Sequence, residues 1–407
     1  MKVLHLSWEF PPRLYGGLGR HVAELSRAQV GAGLEVAVLT PALANGTHDQ
    51  AATTGPTVLR ANRTAPGLHP DHWVAGVLDA GMAMVDRVLD ASDQDRPEVI
   101  HVHDWMAGHA ALVLAAAWGV PLVTTIHATE RGRHQGFLPP GLSRWIDAQE
   151  RHLVARSDRV IVCASHMRDH LIQQLDADPA TVEVIAGGVD IAAWSGGDAP
   201  STTGLRVLAA GRLEYEKGIH VLLDALADLD VPSDLTVTIA GEGTHATALK
   251  DQAVRILGRR RAPIGGGGTR PALRIRFVGH QRREGLVRLL GQSTVAIIPS
   301  LYEPFGLTAL EAMAAGVPVI ASDTGGLTGV VGNAGVLVPP GDVEALRGAL
   351  RSLLRDPSAQ ARLRARGPAR ATSFTWRQAA DHTIEVYRRV SPGQRATSSR
   401  PPRPVSG

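Results

Sequence analysis

The sequence predicts an α/β protein made of two doubly wound parallel-sheet domains, and three observations carry that expectation. Short apolar runs alternate with helix-length stretches along nearly the whole chain, as strands joined by helical crossovers require. The 407 residues are too many for one ordinary core. The alternation breaks at residues 187–190 and 194–204, where turn residues crowd and apolar periodicity fades. A linker placed there leaves roughly 180 residues on either side, a comfortable domain size. The expected units are residues 1–195 and 196–373.

Taken in order, the first series of strand-like runs is 3–6, 35–39, 99–102, 122–126, 159–163 and 182–185. The second is 206–210, 236–240, 274–278, 295–299, 317–321 and 335–338. The stretches between them suit right-handed crossovers, which puts helices on both faces of each sheet. Residues 374–389 form an amphipathic helical stretch. From about residue 391 the chain is Pro, Ser, Arg and Gly, a composition that predicts a disordered tail. Residues 258–271, GRRRAPIGGGGTRP, read as a flexible basic insertion. Residues 42–71 carry no pattern that assigns them.

Composition excludes several classes. A net charge of +3 does not argue for nucleic acid. No run of about 18 uncharged apolar residues predicts a transmembrane helix, and weak peripheral contact with a membrane stays open. The opening MKVLHLS reads as a first strand rather than a signal peptide. One cysteine, Cys163, rules out an internal disulfide framework and fits a reducing cytoplasm. It lies in an apolar run and reads as a small core residue. Lysine occurs at just three positions, Lys2, Lys217 and Lys250, so a lysine inside a motif is informative.

The most informative stretch is residues 300–316, SLYEPFGLTALEAMAAG. It follows an apolar strand, so Glu303 sits where that strand ends and Glu311 about two turns further on, inside a helix. Ligands of open parallel sheets bind outside the carboxyl ends of the strands. The unpaired N–H groups near Phe305, Gly306, Leu307 and Thr308 suit a phosphate. Two carboxylates beside an anion site call for a partner rich in hydroxyls, and a sugar nucleotide is one. Residues 211–218, GRLEYEKG, follow the first strand of the second half. Arg212 and Lys217 there can converge on one anion, the arginine as a planar fork and the lysine as a point charge. Residues 15–21, YGGLGRH, follow the first strand of all, and Gly16 and Gly17 let the backbone approach a ligand closely. The spacing is not G-x-G-x-x-G, which counts against a dinucleotide-dependent dehydrogenase. His103 with Asp104, and His127 with Glu130, end two further strands. Glu9 is a candidate for the same cleft. Gly241 lies in a glycine turn that borders the nucleotide, and residues 323–327, DTGGL, form another such turn.

The E-x7-E pattern with its Pro-Phe-Gly-Leu filling resembles the retaining glycosyltransferases of the two-domain GT-B fold. It is of the family 4 type that includes glycogen synthase relatives, and the resemblance covers about residues 1–390. The resemblance implies that Arg212 and Lys217 bind the donor diphosphate. It implies that Asp104 and His127 contact the transferred sugar, that Glu303 holds donor-sugar hydroxyls and that Glu311 holds the ribose. It also implies that the helix at 374–390 crosses back onto the first domain. Many bacterial glycogen synthases carry a lysine two residues before the glycine pair; here that position is Leu14, with Arg13 beside it. No D-x-D motif stands at a strand end, so neither metal nor cofactor is expected.

The combination of SWEFPP, GGLGRH, TIHATE and GRLEYEKG looks closest to actinobacterial α-1,4-glucosyltransferases of glycogen or methylglucose polysaccharide synthesis. The implied partners are a UDP- or ADP-glucose donor and a glucan or oligosaccharide acceptor. Three alternatives stay open: a transferase of the same fold using mannose or another sugar on a lipid or small-molecule acceptor, a UDP-sugar epimerase, and a non-catalytic nucleotide-sugar binding module.

Overall fold

The structure, a computed structural model, describes residues 1–43, 49, 54–64, 73–196, 204–260 and 271–391. Residues 197–203 of the expected linker, 261–270 of the basic glycine-rich insertion and 392–407 of the expected tail lie outside the described residues.

The first half runs β1 (Lys2–Ser7), α1 (Gly17–Gly31), β2 (Glu35–Ala42), β3 (Thr57–Thr64), α2 (Trp73–Val88), β4 (Val99–His103), α3 (Gly108–Trp118), β5 (Leu122–Ile126), α4 (Glu130–Arg133), α5 (Leu142–Arg156), β6 (Arg159–Val162), α6 (Ser165–Gln174), β7 (Val182–Val184) and α7 (Ile191–Trp194). The second runs β8 (Leu205–Ala210), α8 (Ile219–Ala227), β9 (Leu235–Ala240), α9 (Ala246–Arg260), β10 (Leu273–Phe277), α10 (Arg283–Gly291), β11 (Val295–Ile298), α11 (Leu307–Ala314), β12 (Val319–Ser322), α12 (Gly326–Val331), β13 (Val336–Val338), α13 (Val343–Arg355), α14 (Pro357–Ala371) and α15 (Trp376–Val390).

These strands form two sheets, one of seven strands in the order β3-β2-β1-β4-β5-β6-β7 and one of six in the order β10-β9-β8-β11-β12-β13. Neighbours in each are parallel: Val3 stands opposite Val36 on one side and Val99 on the other. The central strands β4, β5, β11 and β12 are buried along their whole length, so they read as short runs rich in Val and Ile rather than as polar–apolar alternation.

The apolar runs predict six strands in the first half, and the structure has a seventh. The sequence of β3, TVLRANRT, hides it, because an edge strand buries only part of its length and its last three residues are exposed. Its Arg60 is buried, and the guanidinium donates to the carbonyl oxygens of Pro41 and Pro11 at 3.4 and 2.7 Å.

Helix α15 lies beside α1 on the first sheet. Tyr387, Val386, Ala380 and Val390 share a buried cluster there with Val3, Leu25, Val99, Val123 and Ile161. Thr375 caps this helix, its Oγ1 accepting the N–H of Gln378 at 3.2 Å, so it begins at Trp376 rather than at Phe374. The chain crosses itself at Gly188, where a Cβ would lie 2.2 Å from the Trp376 nitrogen. The carboxyl ends of the two sheets face one another, and the cleft between them holds every group described next.

Candidate active site

Strand β11 ends at Ile298, and a short loop carries Glu303 to the start of α11. Gly306 makes the turn with φ 109°, a left-handed conformation that favours glycine. The Glu303 carboxylate accepts from Lys217 Nζ at 2.8 Å and from Ser300 Oγ at 3.3 Å. Its main-chain carbonyl accepts the N–H of Gly326 at 2.9 Å, and a Cβ on Gly325 would lie 2.1 Å from that carbonyl oxygen. The DTGGL turn is therefore a backbone clamp on the Glu303 loop. Phe305 is buried in the core beside Phe374, with ring centroids 6.2 Å apart, so it can offer a ligand only its backbone. Leu307 and Thr308 open α11 and are half-buried.

Lys217 closes a single 3-10 turn after β8, and Gly218 follows it with φ 65°. A Cβ on Gly218 would sit 1.9 Å from the Pro299 carbonyl oxygen, so the lysine turn is pressed directly onto the end of β11. The sequence predicts that Arg212 and Lys217 converge on one anion. In the structure each faces a carboxylate instead: Lys217 that of Glu303, and Arg212 that of Glu216 at 2.8 Å. Gly241, with φ 148°, is needed for a close approach, since a Cβ would lie 1.8 Å from the Gly211 carbonyl oxygen.

The glycine turn before α1 is organised by Glu9, whose Oε2 accepts the N–H groups of Tyr15 and Gly16 at 2.9 and 3.1 Å. Burial raises the Glu9 carboxyl above its ordinary pKa, against the pull of those N–H bonds and of Arg212. The Gly16 N–H is thus committed to Glu9. Gly17 opens α1, and its N–H, like those of any first helical turn, has no partner within the helix. The turn faces the second domain: a Cβ on Gly16 would be 3.8 Å from Arg212 Cδ, and one on Gly17 would be 3.2 Å from Leu307 Cδ1. Glu311, inside α11, pairs with Arg20 Nη1 at 2.6 Å. Burial raises its pKa, while Arg20 and then Arg283 act to lower it.

Asp104 follows β4 in a strained conformation, φ 59° and ψ 170°, that aims its Oδ1 at the His127 N–H 2.7 Å away. Burial pushes the Asp104 carboxyl up to about 6. His127 ends β5. Burial lowers its pKa to about 3, so its ring is neutral at pH 7. His127 Nε2 lies 3.1 Å from His103 Nδ1, and its ring meets His21 edge-on at 4.6 Å. Glu130 is held in a different network. Its N–H donates to both carboxylate oxygens of Glu150, and its own carboxylate accepts from Ser143 Oγ at 2.7 Å.

Several groups at this cleft carry no clear signal in the sequence. Arg20 and His21 lie inside the YGGLGRH motif, where the glycines draw the eye. Tyr302 adjoins Glu303 and spans the cleft: its hydroxyl accepts the Thr129 N–H at 3.3 Å, and its ring covers Gly132. His166 Nε2 is buried with no hydrogen-bond partner among the described residues, beside Gly325.

Two Rossmann-like sheets opposed across a cleft, with a Lys–Glu pair and a helix N-terminus at the meeting strand ends, make a GT-B glycosyltransferase. Residues 15–193 match the model described as Glycosyltransferase Family 4, and residues 204–356 match that of Glycosyl transferases group 1. The chain is 39% identical over 419 residues to "Glycogen synthase" of Mycobacterium tuberculosis (strain CDC 1551 / Oshkosh), spanning 99% of this chain and 98% of that one. It is 33% identical over 402 residues to "D-inositol 3-phosphate glycosyltransferase" of Frankia alni, spanning 92% and 94%. Sucrose-phosphate synthase from Thermosynechococcus elongatus shares the fold, with a TM-score of 0.78 at 23% identity over 96% and 98% of the two chains. The chain belongs to the glycogen synthase-like glycosyltransferases of the family 4 type, and it is an enzyme of that class. Among the described residues no helix is long and apolar enough to cross a membrane.

Proposed function

We propose that the protein transfers a glucosyl unit from UDP- or ADP-glucose to an α-1,4-glucan or related polysaccharide, with retention of anomeric configuration, in the cytoplasm. The observation that carries the chemistry is the Lys217–Glu303 pair, set between the N-terminus of α11 and the glycine turn before α1. Glucose as the sugar is favoured by the near full-length match to a glycogen synthase.

In this reading the donor diphosphate displaces the carboxylates from Lys217 and Arg212. These cations and the first N–H groups of α11 then neutralise the charge that grows on the leaving phosphate. Glu303, released from Lys217, holds donor-sugar hydroxyls and faces the positive charge of an oxocarbenium-like carbon. Glu311, inside α11 and paired with Arg20, holds the ribose. The acceptor hydroxyl attacks from the face the diphosphate leaves, its proton passing to a phosphate oxygen as the C1–O bond breaks. Glu303 and Glu311 are not a glycosidase acid–base pair, because they do not flank a glycosidic bond. The protein's own cations supply the charge neutralisation, so no step calls for a metal ion or cofactor.

The test is a donor screen with UDP-glucose, ADP-glucose, GDP-mannose and UDP-N-acetylglucosamine, each without acceptor, with maltooligosaccharides and with inositol phosphate, alongside Glu303→Gln. Chain extension by α-linked glucose, lost in the variant, is the expected result. A second reading is favoured by the relatives named for D-inositol 3-phosphate, which point to a small phosphorylated acceptor. No extension of any maltooligosaccharide, with transfer to inositol phosphate, would establish that reading instead.

A further inference from the structure

Behind His127 lies a continuous chain of buried polar groups. His127 Nε2 is 3.1 Å from His103 Nδ1, and His103 Nε2 is 2.9 Å from His5 Nδ1. His5 Nε2 is 2.7 Å from Gln29 Oε1, and Gln29 Nε2 is 3.0 Å from the Tyr387 hydroxyl. That hydroxyl is 2.5 Å from His101 Nδ1, and His101 Nε2 is 2.7 Å from Thr125 Oγ1. His5, His101 and His103 bring ligating atoms within 4.8 Å of one another, as a metal site would, but all six of their ring nitrogens are already engaged in these contacts.

Burial keeps the rings neutral at pH 7: it lowers His5 to about 4 and His127 to about 3, and holds His101 and His103 well below the ordinary value. A neutral imidazole has one N–H and one bare nitrogen. The proton positions along the chain are therefore not independent. An amide oxygen only accepts, so Gln29 Oε1 puts the His5 proton on Nε2 and leaves Nδ1 bare. His103 must then donate from Nε2, and its bare Nδ1 must accept from His127 Nε2. On the other side the Gln29 amide donates to Tyr387, whose hydroxyl donates to His101. Turning the amide over would reverse every one of these donors together, and would make the Tyr387 phenol accept from His101 at 2.5 Å; a phenol is a better donor to a bare imidazole nitrogen than an acceptor from its N–H, so Tyr387 favours the first arrangement.

We propose that Tyr387 is a positioning residue: by seating the Gln29 amide, it holds His127 in a single tautomer, with the proton on Nε2 and Nδ1 bare. Tyr387 belongs to α15, near the far end of the described chain, and makes no contact with His127 itself. A bare Nδ1 is then what the His127 ring has left for a ligand hydroxyl, as acceptor. This last consequence rests on the proposed donor-sugar site; the tautomer assignment does not. Without the phenol hydroxyl, neither orientation of the Gln29 amide is favoured, and both proton arrangements populate.

The test is long-range proton–nitrogen NMR of ring-labelled histidines in the wild type, Tyr387→Phe and Gln29→Met, with His127→Asn assigning the resonance. The wild type is expected to show His127 protonated at Nε2 alone. In both variants the two ring nitrogens are expected to move toward averaged shifts while the backbone amide spectrum stays folded. Gln29→Met keeps the test available should Tyr387→Phe fail to fold. A wild-type His127 protonated on Nδ1, or one whose tautomer does not change in the folded variant, would overturn the proposal. In Tyr387→Phe, kcat is expected to fall while the donor KM holds. An enzyme silent toward every donor with the tautomer shift intact would remove the proposed function and leave the relay standing.

Discussion

Arg20 and Glu311 meet across the cleft at 2.6 Å, joining the glycine turn of the first sheet to the helix that follows Glu303 in the second. Glu311 is largely buried, and burial raises its pKa while Arg20 opposes that rise. Arg20→Gln removes the opposing cation, so the carboxyl protonates at higher pH than in the wild type. A protonated carboxyl has lost its charge toward ribose hydroxyls. The donor KM of Arg20→Gln is therefore expected to climb, as pH is lowered, at higher pH than that of the wild type. Donor KM measured across pH checks this, and coincident profiles would show that Glu311 does not serve the donor.

Lys217 and Glu303 form the next contact to break. Glu303→Gln and Lys217→Ala are each expected to lower kcat by about 10²–10³, the cost typical of removing one preorganised charge-stabilising group. Lys217→Arg is expected not to restore the rate, because a planar fork does not replace a compact ammonium that meets the Glu303 carboxylate at 2.8 Å. Rates within threefold of the wild type in all three variants would move the chemistry elsewhere.

The buried histidines make stability depend on pH. His5, His21, His101, His103 and His127 all have lowered pKa values, through burial first. Below about pH 6.5 the unfolded chain takes up protons at these five rings that the folded chain refuses. Stability therefore falls as pH falls, by about 1.4 kcal/mol per pH unit for each ring. Burial raises the carboxyls of Glu9, Asp104, Glu150 and Glu311, which act in the opposite sense, and five rings outnumber these four groups. The Tm is expected to drop from pH 7 to pH 5, more steeply as pH falls below 6.5, with Glu150, at about 8, opposing the drop throughout and Asp104, at about 6, in its lower part. A Tm flat over that interval would show that the rings are not held neutral.

Gly241 and Gly31 should respond in opposite directions to alanine. At Gly241 the new Cβ meets the Gly211 carbonyl oxygen at 1.8 Å and the backbone is left-handed, so a loss of about 2 kcal/mol is expected. At Gly31, in the last turn of α1, nothing lies within 4 Å of the added carbon. There alanine is expected to stabilise by about 0.5 kcal/mol through helix propensity. Urea unfolding of the two variants measures both.

The fold was legible because strands buried on both faces write themselves as apolar runs: β5 begins at Leu122 and ends at Ile126, as its sequence predicts. Strand β3 was not, because an edge strand with a buried arginine has no such run. In the site, Glu303, Lys217, Arg212 and the Gly16–Gly17 turn lie at the facing strand ends, where their local motifs point. Contacts between distant segments had no local trace. Nothing near Arg20 says that its partner is Glu311, and nothing near Tyr387 says that its hydroxyl reaches Gln29 and His101. Glu130 shows the converse, a polar residue at a strand end whose bonds serve Glu150 and Ser143.

Helix α15 completes the buried layer beneath the first sheet, yet it is made after every strand of the second. During synthesis the cluster around Val3, Leu25 and Val99 therefore waits, uncovered, while the other sheet emerges and folds. The second sheet is a self-contained insert that must be finished before its host can close. A chain ending just short of Trp376 would carry every strand of both sheets and still expose the apolar face of the first to chaperones.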